Sequence, residues 1–145
     1  MAWIYESSSG AMYHPNGKRL GYGFAGHGEG LNDPTKQNVR GVGPLPEHLY
    51  KMGRWIEKHD DMGLGVITLI PWAENGKILN MFARDGFAIH GSSNLFNSGL
   101  DKFLHSSDGC IIIGDLALRR QIWLHDDDFL QVYAKIPLTK SSPLI

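Results

Sequence analysis

The chain has 145 residues, 42% hydrophobic and 20% charged, and a net charge of −1 at pH 7. That is enough length for one buried core, and the charge offers no attraction to nucleic acid or to an anionic membrane. One cysteine excludes an internal disulfide, and no apolar run approaches the ~20 residues that span a bilayer. Met1 to Gly10 has neither the basic nor the apolar region of a secretory signal. The expectation is one domain over residues 1–145, a monomer made in the cytoplasm.

Glycine supplies 18 residues, well above the usual ~7%, and it cuts the chain into short segments that favour a β-rich fold. In chain order, Trp3–Glu6 reads as a strand, Ser7–Gly10 as a turn and Ala11–His14 as a second strand. Pro15-Asn16-Gly17 is a hairpin signal before a strand over Lys18–Phe24. A glycine-rich loop follows from Gly26 to Pro34, with a short helix over Asp33–Asn38. Pro44 and Pro46 force an extended path into Leu49–Met52, and Val66–Pro71 reads as a buried strand. Phe82–His90 is a further strand, Asn94–His105 a lid-like loop or short helix, and Asp115 caps a helix reaching Leu124. Phe129–Ile136 returns as the last strand. No repeat, linker or low-complexity segment interrupts the series.

Cys110 stands in Ser106-Ser107-Asp108-Gly109-Cys110-Ile111-Ile112-Ile113-Gly114, a polar turn running into a β-branched strand. Twenty positions earlier, Phe87-Ala88-Ile89-His90-Gly91 ends an apolar strand in a histidine and a glycine. A lone cysteine before three isoleucines is ordinarily a small buried hydrophobe. A nucleophilic cysteine needs a base, since a thiol with pKa near 8.5 is mostly protonated at neutral pH. His90 is the candidate base, and Gly109 allows a tight turn whose successive N–H groups, at Gly109 and Cys110, converge as an oxyanion hole.

These stretches resemble a known family. His-Gly, a loop, then Ser-x-x-Gly-Cys before apolar residues resembles the L,D-transpeptidase catalytic domain. Tyr22 to Asn32, Asn38 to Pro46 and Arg84 to Gly91 are similar to its type VI secretion effector branch. The resemblance runs from Trp3 to about Tyr133. It implies a mainly β, β-rich α+β fold: a β-sandwich or mixed sheet with one or two short helices. It also implies cysteine-dependent acyl transfer on peptidoglycan stem tetrapeptides. Cys110 attacks the carbonyl of the L-centre residue, His90 serves as base and then acid, and the terminal D-alanine leaves. The thioester passes to a second stem peptide, a free D-amino acid or water, the last being carboxypeptidase activity. The implied protein is an antibacterial toxin, secreted without a signal peptide into a rival's periplasm. Its partners would be the secretion apparatus and a periplasmic immunity protein.

Two positions depart from the broad family, which usually has histidine where this chain has Asp108, and arginine or asparagine where it has Ile112. Gly91, Ser107, Asp108, His27 and Arg84 are expected as substrate-binding or supporting residues, with Asp85 beside Arg84. His105 is a rival base. His59-Asp60-Asp61 and His125-Asp126-Asp127-Asp128 hint at hard-cation sites but read better as solvated turns. No metal or cofactor is expected, and no nucleic acid or membrane insertion. The alternatives are a plain peptidoglycan amidase or hydrolase, and an inert wall-binding or secretion-apparatus module.

Overall fold

The computed structural model describes residues 1–73, 81–91 and 109–137. They form β1 (Trp3–Glu6), β2 (Ala11–Tyr13), β3 (Arg19–Tyr22), β4 (Phe24–Ala25), β5 (His48–His59) and β6 (Gly63–Pro71). After these come β7 (Ala88–His90), β8 (Ile111–Ile112), helix α1 (Leu116–Leu124) and β9 (Phe129–Tyr133). All nine strands lie in one mixed sheet of order β3-β2-β1-β9-β5-β6-β7-β8-β4. The β1–β9 and β7–β8 pairs are parallel. The mainly β expectation therefore holds, with a mixed sheet and short helical segments.

The two edge strands, β3 and β4, are consecutive in sequence and separated by Gly23 alone, so the sheet curls until it nearly closes. Gly23 N–H donates to the Gly10 carbonyl at 2.7 Å, tying the junction to the β1–β2 turn. A Cβ at Gly23 would collide with the Ile112 backbone and with the Ile113 side chain at 2.9 Å, so only glycine lets the edges approach this closely. The strand expected over Lys18–Phe24 is thereby two strands, on opposite edges of the sheet.

The core forms on the concave side, where alternate residues of each strand converge. Trp3, Tyr5, Tyr50, Ile67, Ile89, Ile111, Leu130 and Val132 are fully buried there. Leu118 and Ile122 of α1 close one end. Each such side chain contributes roughly 1.5–3 kcal/mol of burial. Asp115 caps α1, accepting from the N–H groups of Ala117 at 2.9 Å and Leu118 at 3.3 Å. Asp33 likewise accepts from Thr35 N and starts a 3-10 turn over Pro34–Lys36, where a short helix was expected.

β5 and β6 are longer than their expected cores, Leu49–Met52 and Val66–Pro71, and join through a turn at residues 60–62. A register shift between Met52 and Trp55 resets the alternation, which hides the second half of β5 from pattern reading. β7 is shorter than Phe82–His90. Phe82 (φ 55°) and Ala83 (φ 57°) take a left-handed turn and Gly86 (φ 72°) interrupts again, so pairing begins only at Ala88. The lid-like segment expected over Asn94–His105 lies outside the described residues. Among the described residues, no helix is long and apolar enough to cross a membrane.

Candidate active site

Three short strands position the candidate residues. β8 lies between β7 and β4, with Ile89 opposite Ile111, His90 opposite Ile112, Phe24 opposite Ile112 and Ala25 opposite Ile111. Carrying the β7–β8 register back one residue sets Cys110 beside Ala88. Strands ~4.8 Å apart with a rise of ~3.3 Å per residue put the Cys110 and His90 Cα atoms about 8 Å apart on the diagonal. Carrying β4 forward sets Gly26 and His27 beside Cys110 and Gly109.

Alternation decides which face each side chain takes. Phe87 and Ile89 of one strand, and Ile111 and Ile113 of the other, belong to the core. A Cβ at Gly109 would also point coreward, 3.4 Å from Phe87 and against Arg84 Nη2. Ala88, His90, Cys110 and Ile112 therefore share the opposite face. Ile112, which departs from the broad family's pattern, is 1% exposed and is flanked by Phe24 and His90, so its apolar bulk fills the sheet where a longer polar side chain would have to leave it.

His90 is 5% exposed. Its Nδ1 lies 2.7 Å from the Gly91 carbonyl oxygen, which only accepts, so Nδ1 donates and Nε2 is left as the acceptor. Burial is the largest influence on the ring and pulls its pKa below the ordinary imidazole value. Arg119 and His59 push the same way, and the Gly91 bond opposes them. The result is a neutral imidazole at neutral pH with one basic nitrogen. Cys110 is partly exposed, and its Sγ donates to the Gly86 carbonyl at 3.5 Å.

The turn before Cys110 is braced from below. Gly109 has φ 127°, a value L side chains rarely adopt. Its carbonyl accepts from Leu45 N–H at 2.9 Å. Because the peptide is planar and trans, that bond also fixes the direction of the Cys110 N–H, which points opposite to the Gly109 carbonyl. Arg84 is 5% exposed and turned inward. It donates to the carbonyls of Gln37 (2.7 Å), Pro44 (2.7 Å) and Gly43 (2.9 Å), and its guanidinium lies 5.6 Å from the Phe87 ring centre. The loop over residues 37–44 is thus fastened to the cysteine turn. Asp85, its neighbour, is exposed.

His27 is half-buried at the end of β4, its N–H on the Val42 carbonyl at 2.9 Å. Gly91 follows His90 directly and supplies its hydrogen-bond acceptor. Ser107, Asp108 and the rival base His105 lie outside the described residues. His59 and His125 cap turns: His59 Nδ1 accepts from Asp61 N at 3.0 Å and Met62 N at 3.1 Å, and His125 Nδ1 from Asp127 N at 3.1 Å. Among the described residues, no group of three or more His, Cys, Asp or Glu is arranged to hold a metal ion.

Sequence reasoning missed Arg119, a buried guanidinium against Gly91. The signal was present, since Leu118, Arg119 and Ile122 form the buried stripe of α1, and an arginine on such a stripe marks a buried polar contact.

A family model described as "Tlde1 domain" matches residues 21–140. No curated protein matches the sequence. Among solved structures, that of Bdellovibrio bacteriovorus Bd1075 is similar in fold, with a TM-score of 0.56 at 12% identity over 97% of this chain and 50% of that one. The present chain therefore spans half the length of that structure, and the likeness concerns the fold alone.

Proposed function

The chain belongs to the Tlde1 domain family of L,D-transpeptidase-like type VI secretion effectors, and on that premise we propose that it is a cysteine acyltransferase of peptidoglycan stem tetrapeptides. The observation that carries the reading is the parallel register of β7 and β8, which sets His90 and Cys110 on one face, two residues apart along adjacent strands. That spacing supports reading the two as base and nucleophile.

The thiol turns by rotation about χ1 from the Gly86 carbonyl toward His90, and Nε2 takes its proton as Sγ attacks the carbonyl carbon of the L-centre residue. A C–S bond forms and the oxygen becomes an oxyanion held by the Gly109 and Cys110 N–H groups, a contribution of about 3–4 kcal/mol per donor. Collapse breaks the C–N bond, and the imidazolium returns its proton to the departing D-alanine amine. An amine or water then attacks the thioester, loses its proton to His90 and releases the thiol, which is protonated again. His27 and the Arg84-fastened loop form one wall of the cleft. Gly91 supports His90.

Delivery by the secretion machine places the protein in a rival's periplasm, where an immunity protein covers this cleft. The test is mass spectrometry of defined tetrapeptide muropeptides incubated with the protein and a labelled D-amino acid. Loss of the terminal D-alanine with incorporation of the label is expected. Loss without incorporation reduces the reading to a hydrolase. Unchanged muropeptides with folded protein overturn it.

A further inference from the structure

Arg119 is 4% exposed, and among the described residues no carboxylate lies within ion-pair distance of it. Its donors go to backbone: Nε to the Gly65 carbonyl at 2.8 Å, Nη2 to Leu64 at 2.8 Å and Nη1 to Ile113 at 2.6 Å. Gly91 packs directly on it, since a Cβ there would stand 2.7 Å from Nη1. Ile113 N–H donates in turn to the His90 carbonyl at 2.9 Å. One guanidinium therefore gathers the start of β6, the exit of β7 and the exit of β8. A buried cation with no carboxylate at ion-pair distance among the described residues carries a desolvation cost. Leucine or methionine would fill the same helix stripe without it, so the planar fork is retained for what it joins.

We propose that Arg119 is the positioning residue of the His90–Cys110 pair, a clamp that holds the two strand exits in register and thereby sets the approach of imidazole to thiol. The inference rests on the reading of Cys110 and His90 as nucleophile and base. β7 and β8 have only three and two residues in their ladder, too few to fix that register alone. The groups facing His90 are Arg119 of α1, His59 of β5 and, by register, Cys110 just before β8, and Asp115 acts on Arg119 in turn. The clamp thus adds a positive charge near His90, which disfavours imidazolium.

Alkylation of Cys110 by iodoacetamide, followed by intact mass across pH, tests the clamp without relying on turnover. The full chain is compared with His90→Ala, Arg119→Lys, Arg119→Met and Gly91→Ala, each checked for cooperative thermal unfolding. His90→Ala is expected to slow alkylation at neutral pH. Arg119→Met is expected to slow it roughly tenfold, the equivalent of one pKa unit of thiolate, and to move the acid limb of the rate profile upward. Arg119→Lys keeps the charge but cannot span three carbonyls, so its rate falls while the limb stays in place. Gly91→Ala, whose backbone is outside the left-handed region, displaces the guanidinium and has a smaller effect of the same kind. If Arg119→Met does not fold, the lysine and Gly91 variants decide. Folded Arg119 variants alkylating like wild type, while His90→Ala slows, overturn the clamp. Wild-type alkylation in His90→Ala overturns the pairing itself, and the clamp with it.

Discussion

The β5–β6 hairpin and the β7-β8-β4 corner belong to one sheet but are held by different forces. The hairpin strands run 12 and 9 residues with seven paired positions, so loss of any one contact leaves the register fixed by the others. The corner strands have three, two and two residues, and their positions depend on two buried arginines. Arg84 fastens the loop to the cysteine turn, and Arg119 fastens the strand exits to β6. Regular pairing builds the frame here, while side chain-to-backbone bonds build the site. Single substitutions should therefore be tolerated in the first region and felt in the second.

The largest expected effect is on activity alone. Cys110→Ala should leave the melting temperature near wild type, because the thiol is partly exposed, and should abolish muropeptide turnover and periplasmic toxicity. A variant retaining a tenth of wild-type activity would contradict the assignment. Arg84→Met should destabilise by about 3 kcal/mol in urea unfolding, since three carbonyls, two of them in buried bonds, lose partners worth ~1 kcal/mol each. Gly109→Ala should cost roughly 2 kcal/mol from its left-handed backbone and lower turnover further, because the new methyl meets Arg84.

The same contrast governs what was legible in the sequence. β1, β2, the Asp115 cap and α1 were readable, because turn residues, caps and alternation act locally. Cys110 and His90 were singled out from residue type and from resemblance to a family. The break at Gly23 was not, since it depends on a contact with Ile112 far along the chain. The end of β5 was hidden by its register shift. The carbonyl partners of Arg84 and Arg119 lie 40–47 and 6–55 residues away. No periodicity encodes such bonds; the only local sign is a charge on a buried position.

Smaller effects sharpen the comparison. His90 titrates near 6.5 in the unfolded chain and lower when folded. The unfolded state therefore binds the proton more readily, and stability should fall as pH drops from about 6.5 through the folded pKa, levelling below it. Urea midpoints across pH 4–8 should show this slope reduced in His90→Gln; an unchanged slope would place the titration elsewhere. Smallest of all is Lys51→Ala on the outer face of the hairpin. Its 4.0 Å approach to Asp128 and its contacts over Trp72 and Phe129 are exposed, so stability should change by no more than about 0.5 kcal/mol. A larger loss would mean that the frame is as fragile as the site.

The acyl-enzyme itself gives the most direct test. The protein is mixed with a defined tetrapeptide muropeptide, quenched in acid within the first turnovers, and measured by intact-mass spectrometry with peptide mapping. The expected result is an adduct equal to the stem donor less D-alanine, carried on Cys110, labile to hydroxylamine and absent in Cys110→Ala. Turnover with no adduct on Cys110, or an adduct on another residue, would contradict the account.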